Sequence, residues 1–394
     1  MKKVSFPICL LFLGLTFYGA FFLDTSKTVP ETVSAQECWE ELPEQTQAGQ
    51  EPIQEKKTGY AYTQLSGAEQ QLYTDILNVL EAQKTNVAIT AASQQAVDKV
   101  FQCVMDDHPE IFYADGYRLR IYTDASGETI KKTLFSGKYI YSAEDVAARR
   151  EQIAAKTAEI LSGLPVDGDV YQKVKYIYEY LIRTTEYEQD STDNQNICSV
   201  FLNGKSVCQG YAKAAQYLFN KAGIESAFVR GQDLNGQDHA WNLVKTESGW
   251  YHVDVTWGDA SYVGREDGFE RNAAMPQINY EYLCVTDEDI LRSHRIKSTV
   301  PLPACNCRED NYFVREDAYF ESADMEKAKE LFERAAAEKP FYVTLQCADD
   351  TIYTEMEQKL IAGQQVFSFL PKENSGVAYT CDPLQRCLSF WLQD

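Results

Sequence analysis

The sequence is poor in the residues that mark disordered, fibrous or nucleic-acid-binding chains. Glycine (21 residues) and proline (12 residues) are too few among 394 residues for a low-complexity or collagen-like protein. Basic residues are also scarce, with 37 lysines and arginines against 59 aspartates and glutamates, so the formal net charge is −22. Because a field of that sign repels phosphate backbones, we expect no nucleic-acid partner.

Metal-binding signatures are missing as well. The four histidines are scattered without an HExxH arrangement, and the cysteines lack the paired two-residue spacings of structural zinc sites. No calcium loop of the EF-hand type is present. We therefore expect neither a metal nor another cofactor.

One long apolar run is present at the start of the chain. It covers residues 4–23 and follows Lys2 and Lys3, a pattern typical of an export signal. Its length slightly favours an uncleaved membrane anchor, but cleavage after Ala35, at the end of a run of small residues, stays open. We expect an extracellular or cell-surface protein that contacts the membrane only through residues 1–30.

Eleven cysteines are many for a chain of this size, and outside the cytoplasm they could form disulfides. Cys305 with Cys307, and Cys381 with Cys387, are close enough in sequence to staple two separate loops. Their connectivity cannot be read from spacing alone.

Composition and periodicity divide the chain into five segments. Residues 1–30 are the signal peptide or signal anchor, and residues 31–59 are a polar, acidic and flexible linker. Residues 60–165 are predicted to form an N-terminal α+β region, residues 166–308 the core, and residues 309–394 a small C-terminal α/β region. We find no catalytic motif in the last segment.

Local signals predict several element boundaries. Ser66 and Glu69 form a capping box that opens a helix. A long helix begins after Ser142 and stops at Gly163. Two strands, 239–245 and 250–257, are predicted to form a hairpin.

Cys208 is placed where a helix is predicted to begin. Unpaired N–H groups and the helix dipole favour a negative charge there, so a thiol at that position is suited to act as a nucleophile. The neighbouring Gly210 and Ala212 are small and would let the backbone approach a substrate carbonyl. A buried core cysteine or half of a disulfide is the alternative interpretation.

The predicted hairpin brings an imidazole and a carboxylate together. An even loop, Thr246 to Gly249, pairs Lys245 with Trp250 and places His239 opposite Thr256 and diagonal to Asp254. A carboxylate beside an imidazole fixes its tautomer and stabilises the imidazolium. A surface polar pair is the alternative, and His252 is a rival for the Asp254 carboxylate.

Three motifs follow one another along the chain: Val207-Cys208-Gln209-Gly210-Tyr211-Ala212, His239-Ala240-Trp241-Asn242 and Val253-Asp254-Val255-Thr256-Trp257. In type and order they resemble the motifs of the transglutaminase-like superfamily. The flanking segments 107–112 and 311–316 are similar to those of its exported bacterial members. The resemblance implies a papain-like α+β fold. It also implies that Cys208 attacks a carboxamide, His239 shuttles protons and Asp254 orients His239.

The resemblance leaves the reaction open, because the family includes cross-linking transferases, peptidases, amidases and binding scaffolds. We expect an enzyme that acts on a protein or peptide substrate, possibly on the cell surface or wall, through an acyl thioester. Gln209, Trp241 and Trp257 are the candidate substrate-binding residues. The alternative is a non-enzymatic surface or wall-binding module built on the same core.

Overall fold

A computed structural model describes residues 59–259, 277–337, 340–370 and 376–392, together with the backbone of residues 31–32. The predicted export segment and most of the predicted linker lie outside these residues. Among the helices of the described part, none is both long enough and apolar enough to cross a membrane.

The first region combines a four-stranded sheet with four helices. Its elements are β1 (Glu31–Thr32), α1 (Tyr60–Thr63), α2 (Gly67–Glu81), β2 (Val87–Ile89), α3 (Gln94–Asp107), β3 (Ala114–Thr123), β4 (Ile130–Tyr139) and α4 (Ala143–Ser162). The predicted capping box of Ser66 and Glu69 opens α2. The Ser142 side chain caps α4, and Gly163 ends this helix, as the sequence predicted.

The core is built around one buried helix and a five-stranded antiparallel sheet. Its elements up to residue 259 are α5 (Val170–Thr184), β5 (Glu186–Tyr187), β6 (Lys205–Ser206), α6 (Cys208–Lys221), β7 (Ser226–Asp233), β8 (Asp238–Lys245), β9 (Trp250–Val253) and α7 (Val255–Gly258). Those after it are β10 (Leu283–Val285), α8 (Asp287–Ile290) and β11 (His294–Ile296). The sheet has the order β10-β9-β8-β7-β11. Every residue of α6 from Cys208 to Phe219 is buried.

The hairpin has the predicted register but a shorter second strand. Lys245 pairs with Trp250, and the ladder ends at the pair Asn242 and Val253. The strand predicted to reach residue 257 stops there because the Asp254 carboxylate caps a helical turn. Its Oδ1 atom accepts hydrogen bonds from the backbone N–H groups of the second and third residues that follow it. The expected pairing of His239 with Thr256 is therefore wrong.

The last region has its own sheet and hydrophobic cluster. Its elements are α9 (Tyr312–Arg315), β12 (Tyr319–Phe320), α10 (Met325–Ala336), β13 (Tyr342–Cys347), α11 (Asp350–Glu357), α12 (Val366–Phe369), β14 (Val377–Asp382) and β15 (Cys387–Leu392). The strand order is β12-β13-β15-β14. Its buried apolar residues form a cluster from Phe313 to Phe390, whereas one larger cluster runs from Ala61 to Val300 through both earlier regions.

Neither of the two disulfide bonds suggested by the cysteine spacing forms in the structure. Cys305, Cys307 and Cys387 all carry free thiols, so neither pair is bonded. Cys305 and Cys387 are instead buried among apolar side chains, which is the commonest environment of a free cysteine.

Candidate active site

Cys208 is the first residue of the buried helix α6. Val207 precedes it in an extended conformation and provides no side-chain cap, so the first turn leaves backbone N–H groups without an acceptor inside the helix. The Cys208 side chain is only 5% exposed. The sequence therefore places a thiol and several unpaired N–H groups at the same helix end.

Gly210 serves a different purpose from the one expected. A Cβ atom at this position would lie 2.7 Å from the Asn194 carbonyl oxygen and closer still to the Ser206 hydroxyl. Gly210 therefore lets the loop before the helix pack against the first turn, rather than opening a path for a substrate carbonyl. The packing of Asn194 and Ser206 against Gly210 holds the first turn of α6 in place.

His239 and Asp254 come together at the end of the hairpin. The imidazole Nε2 of His239 lies 2.6 Å from Asp254 Oδ2, and both side chains are buried. His239 and Cys208 line the same surface cleft, and the Cys208 side chain is among the neighbours that raise the pKa of His239. The structure thus brings together the three residues that the motifs singled out.

The electrostatics of the pair favour the charged forms of both residues. Burial by itself lowers the pKa of His239, but the negative charge and hydrogen bond of Asp254, together with the Cys208 side chain, raise it to about 10. Burial would raise the pKa of Asp254, but the charge and hydrogen bond of His239 and the hydrogen bond of His294 hold it well below its usual range. The imidazolium and the carboxylate stabilise each other.

A second histidine, which the sequence analysis missed, binds the same carboxylate oxygen. His294 Nε2 lies 3.1 Å from Asp254 Oδ2, and His294 Nδ1 lies 2.7 Å from Ser293 Oγ. His294 is in β11, at the far edge of the sheet from β9 and 40 positions after Asp254. No local spacing or periodicity marks it, since the pairing of β11 with β7 brings it to the site.

His252, the expected rival, contacts other residues. Its Nδ1 accepts a hydrogen bond from Trp241 Nε1 at 2.9 Å, and its Nε2 lies 2.9 Å from Asp287 Oδ1. Because Nδ1 is an acceptor, Nε2 must carry the hydrogen. His252 therefore donates to Asp287 and does not compete for Asp254.

Two groups of described residues bring potential metal ligands within 4.8 Å of one another. The first is His239, Asp254 and His294, whose ligand atoms are already joined by hydrogen bonds. The second is His252, Asp287 and Cys305. The tautomer of His252 directs a hydrogen, rather than a lone pair, towards Asp287, which is not the form that binds a metal.

The three predicted substrate-binding residues have different surroundings. Trp241 is buried beneath the site, with its ring stacked on that of His239 at 5.8 Å. Gln209 is also buried, and its Nε2 donates to the Gln195 carbonyl oxygen at 3.1 Å, so it holds the preceding loop. Of the three, Trp257 lines the cleft.

The cleft is narrow and partly acidic. It leaves no room for a water-sized molecule in this structure and is lined by Tyr187, Cys208, Asp233, Gln237, Asp238, His239 and Trp257. Four of these residues, all on β5 or around the turn between β7 and β8, were not predicted. The buried Nε1 of Trp257 has no acceptor among the described residues.

A buried thiol at a helix start, next to an imidazole that a carboxylate holds, defines a site of the cysteine-enzyme type on an α+β, papain-like fold. Residues 158–255 match the model of the transglutaminase-like superfamily. This chain therefore has a transglutaminase-like core, as its motifs indicated. The matched range contains Cys208, His239 and Asp254 and ends one residue after the last of them.

Comparisons with other proteins are more distant. No curated protein sequence matches the chain. A crystal structure of a TGase shares 15% identity and a TM-score of 0.27, covering 41% of this chain and 56% of the other. A proposed cysteine protease from Cytophaga hutchinsonii shares 14% identity and a TM-score of 0.25, covering 36% of this chain and 62% of the other.

The protein menin, in a structure that reveals its binding site for the Mixed Lineage Leukemia protein, is also similar over part of its fold. It shares 14% identity and a TM-score of 0.24, covering 59% of this chain and 48% of menin. The chain spans about half to three fifths of the length of these three proteins. Structural similarity at this level does not indicate the activity of this chain.

Proposed function

We propose that the protein is an exported cysteine enzyme that acts on protein or peptide carboxamides through an acyl thioester. The observation that carries this proposal is that His239 contacts Asp254 and lines one cleft with Cys208, which begins a buried helix. Asp254 orients the ring and stabilises its charged form, which is the role that a third group has in a cysteine–histidine site.

In the first half of the reaction, Cys208 Sγ attacks the carboxamide carbon as the thiolate, with its proton already held by His239, whose charged form Asp254 stabilises. The N–H groups of the first turn of α6 are suited to bind the developing oxyanion. His239 then gives its proton to the leaving nitrogen, and ammonia or an amine departs. In the second half, an amine or water attacks the thioester, its proton passes through His239, and the Cys208 thiol is restored.

Trp257 is the proposed substrate-binding residue of the cleft. Its Nε1–H is buried without an acceptor among the described residues, and a substrate carbonyl would satisfy it once binding uncovers the atom; its ring packs at 4.6 Å from that of His294. We expect Trp257→Phe, which keeps an aromatic ring and removes the donor, to raise KM more than it lowers kcat. Trp391→Phe is the matched control, because its Nε1 is also without a partner but lies in the C-terminal sheet.

The test is to incubate the full-length protein with N,N-dimethylated casein, with and without a primary amine, and to analyse the product by mass spectrometry. Amine incorporation indicates acyl transfer, and conversion of glutamine to glutamate or peptide cleavage indicates hydrolysis. Cys208→Ala should abolish either product. If Cys208 is neither acylated nor selectively labelled by a mild thiol reagent, the binding-module alternative replaces the enzyme.

Export is part of the proposal and rests on Lys2, Lys3 and the apolar run that follows them. The N-terminus of the protein isolated from its natural host should be Met1 if the segment is an anchor, or close to Gln36 if it is cleaved. Mass spectrometry of the intact protein distinguishes the two. A cytoplasmic location in cell fractionation would contradict export without affecting the proposed chemistry.

A further inference from the structure

Two imidazoles share one oxygen of the Asp254 carboxylate, and the second is connected to the C-terminal region. We propose that His294 is a positioning residue for Asp254, and that Gln385, in the turn between β14 and β15, holds His294 in place through Ser293. This inference rests on the proposed function, because it assigns a role in the same site.

The Asp254 carboxylate is fixed at both of its oxygens. Oδ1 accepts hydrogen bonds from the Thr256 and Trp257 backbone N–H groups, at 2.9 and 3.1 Å. Oδ2 lies 2.6 Å from His239 Nε2 and 3.1 Å from His294 Nε2. The contact with His239 takes part in the proposed chemistry. The contact with His294 is a second hydrogen bond that holds the same oxygen in place.

The hydrogen bonds of His294 have a consistent direction. His294 Nε2 faces a carboxylate oxygen, so it must donate. Burial lowers the pKa of His294 and the charge of His239 lowers it further, whereas Asp254 raises it, with lowering as the net result. The lowered pKa favours the neutral ring, in which Nδ1 accepts. Its neighbour at 2.7 Å is the Ser293 hydroxyl, which donates.

Gln385 completes this chain of hydrogen bonds from the C-terminal region. Its Nε2 donates to Ser293 Oγ at 3.1 Å and lies 3.4 Å from the Tyr282 hydroxyl, and the side chain is 1% exposed. The Gln385 backbone is held by Asp382 Oδ1, and its carbonyl oxygen accepts from Gln346 Nε2 on β13. The region predicted to lack a catalytic motif thus reaches the carboxylate of the active site.

Purely structural packing is the competing explanation, and the experiment is designed to separate the two. The variants are His294→Leu, which removes the donor, His294→Gln, whose amide can both donate to Asp254 and accept from Ser293, and Gln385→Leu. Leu384→Ser is the matched control, because Leu384 precedes Gln385 in the same turn and its side chain is 43% exposed.

Three quantities are measured on the full-length chain. They are kcat and KM per labelled Cys208, the melting temperature, and the titration of the His239 ring by NMR. The sequence contains only four histidines, so their ring signals can be assigned by substitution. Charged or titratable groups near the His239 ring are Cys208, Asp254 and His294, with Asp233 and Asp238 across the cleft.

We expect His294→Leu to lower kcat about tenfold to a hundredfold, the loss typical of a hydrogen bond to a charged group, with little change in KM. The His239 titration midpoint should also move to lower pH, because a less constrained carboxylate stabilises the imidazolium less well. His294→Gln should recover most of both effects. Gln385→Leu should shift both quantities in the same direction by a smaller amount, and Leu384→Ser should shift neither.

The proposal is overturned if His294→Leu or Gln385→Leu lowers the melting temperature but leaves kcat and the His239 midpoint unchanged. If His294→Leu does not fold, Gln385→Leu alone decides, because Gln385 does not contact the triad. If the wild-type protein proves to have no turnover, the proposed function fails, but the NMR titration still supports or overturns the positioning role.

Discussion

His239 and Asp254 meet through different kinds of structure, since His239 lies within a strand and Asp254 caps the helical turn that follows the neighbouring strand. The carboxylate therefore has two tasks. One oxygen ends the ladder by binding backbone N–H groups, and the other contacts the imidazole. A substitution at Asp254 should therefore have two effects. It should impair the chemistry by removing the contact with His239, and it should weaken the end of the hairpin by removing the hydrogen bonds to the backbone N–H groups.

Asp254→Asn should lower kcat by roughly a hundredfold or more, by analogy with the carboxylate of serine-type triads. The amide cannot balance an imidazolium, so the pKa of His239 should fall from about 10. The alkaline limit of activity should then move towards neutral pH in a pH–rate profile. An unchanged alkaline limit in the variant would show that Asp254 does not stabilise the charged ring.

The same pair predicts a pH dependence of stability. The folded-state pKa of His239, about 10, lies above its ordinary value of 6.5. The folded state therefore binds more protons between these values, and this contribution to stability is complete below pH 6.5 and lost as the pH rises to 10. In Asp254→Asn, the loss should be smaller, which urea unfolding at pH 6 and pH 10 would measure.

Cysteine substitutions should separate chemistry from stability. Cys208→Ala removes one sulfur at a helix start, so we expect the melting temperature to change little and all thioester formation to stop. Cys284→Ala removes a fully buried thiol from the large hydrophobic cluster, so it should destabilise the fold by about 1 kcal/mol or more and leave turnover per folded molecule unchanged. Calorimetry and active-site labelling provide the two readouts. Turnover by Cys208→Ala would refute the assignment of the nucleophile.

Glycine substitutions in two helices should have opposite effects. In an exposed helix, alanine is more favourable than glycine by up to about 1 kcal/mol. Gly67→Ala should show this gain, because a Cβ at the start of α2 meets no atom within 4 Å. Gly210→Ala should instead destabilise the protein and lower kcat, because its Cβ would clash with Asn194 and Ser206 and displace the first turn that carries Cys208. A stabilised and fully active Gly210→Ala would contradict this packing.

Local sequence signals predicted the parts of the site that local structure determines. The capping residues, the hairpin register and the position of Cys208 at a helix start all follow from short-range rules. The end of β9 was misjudged because alternation of side chains does not reveal that Asp254 binds its own backbone. His294 was missed because it reaches the site through the pairing of β11 with β7. Gln385 was missed because it reaches the site through a contact between the C-terminal region and the core. Neither kind of contact leaves a pattern in the sequence.

Lys213 provides a prediction outside the active site. It lies on α6 near the buried ion pair of Arg230 and Asp106, in which Arg230 Nε is 3.1 Å from Asp106 Oδ1. Burial and the positive charge of Arg230 together lower the pKa of Lys213 to about 8, against the opposing effect of Asp106. Two cations are thus buried with one carboxylate, at the contact between α3 and β7.

Removing the Lys213 charge should stabilise the protein at neutral pH. The folded-state pKa of Lys213, about 8, is below the ordinary value of 10.5. The unfolded chain therefore binds more protons than the folded protein between these values. As the pH rises through this range, the destabilisation caused by Lys213 decreases. The full cost, about 3 kcal/mol at most, applies below pH 8. Lys213→Met should therefore be more stable than wild type in urea unfolding at pH 7, and this difference should shrink by pH 10. The titration of His239 is common to both proteins and cancels in the difference.

Lys221→Met, on the exposed last turn of the same helix, is the matched control and should show no such trend. A difference that is equal at both pH values would mean that Lys213 is not buried as an ammonium ion at neutral pH.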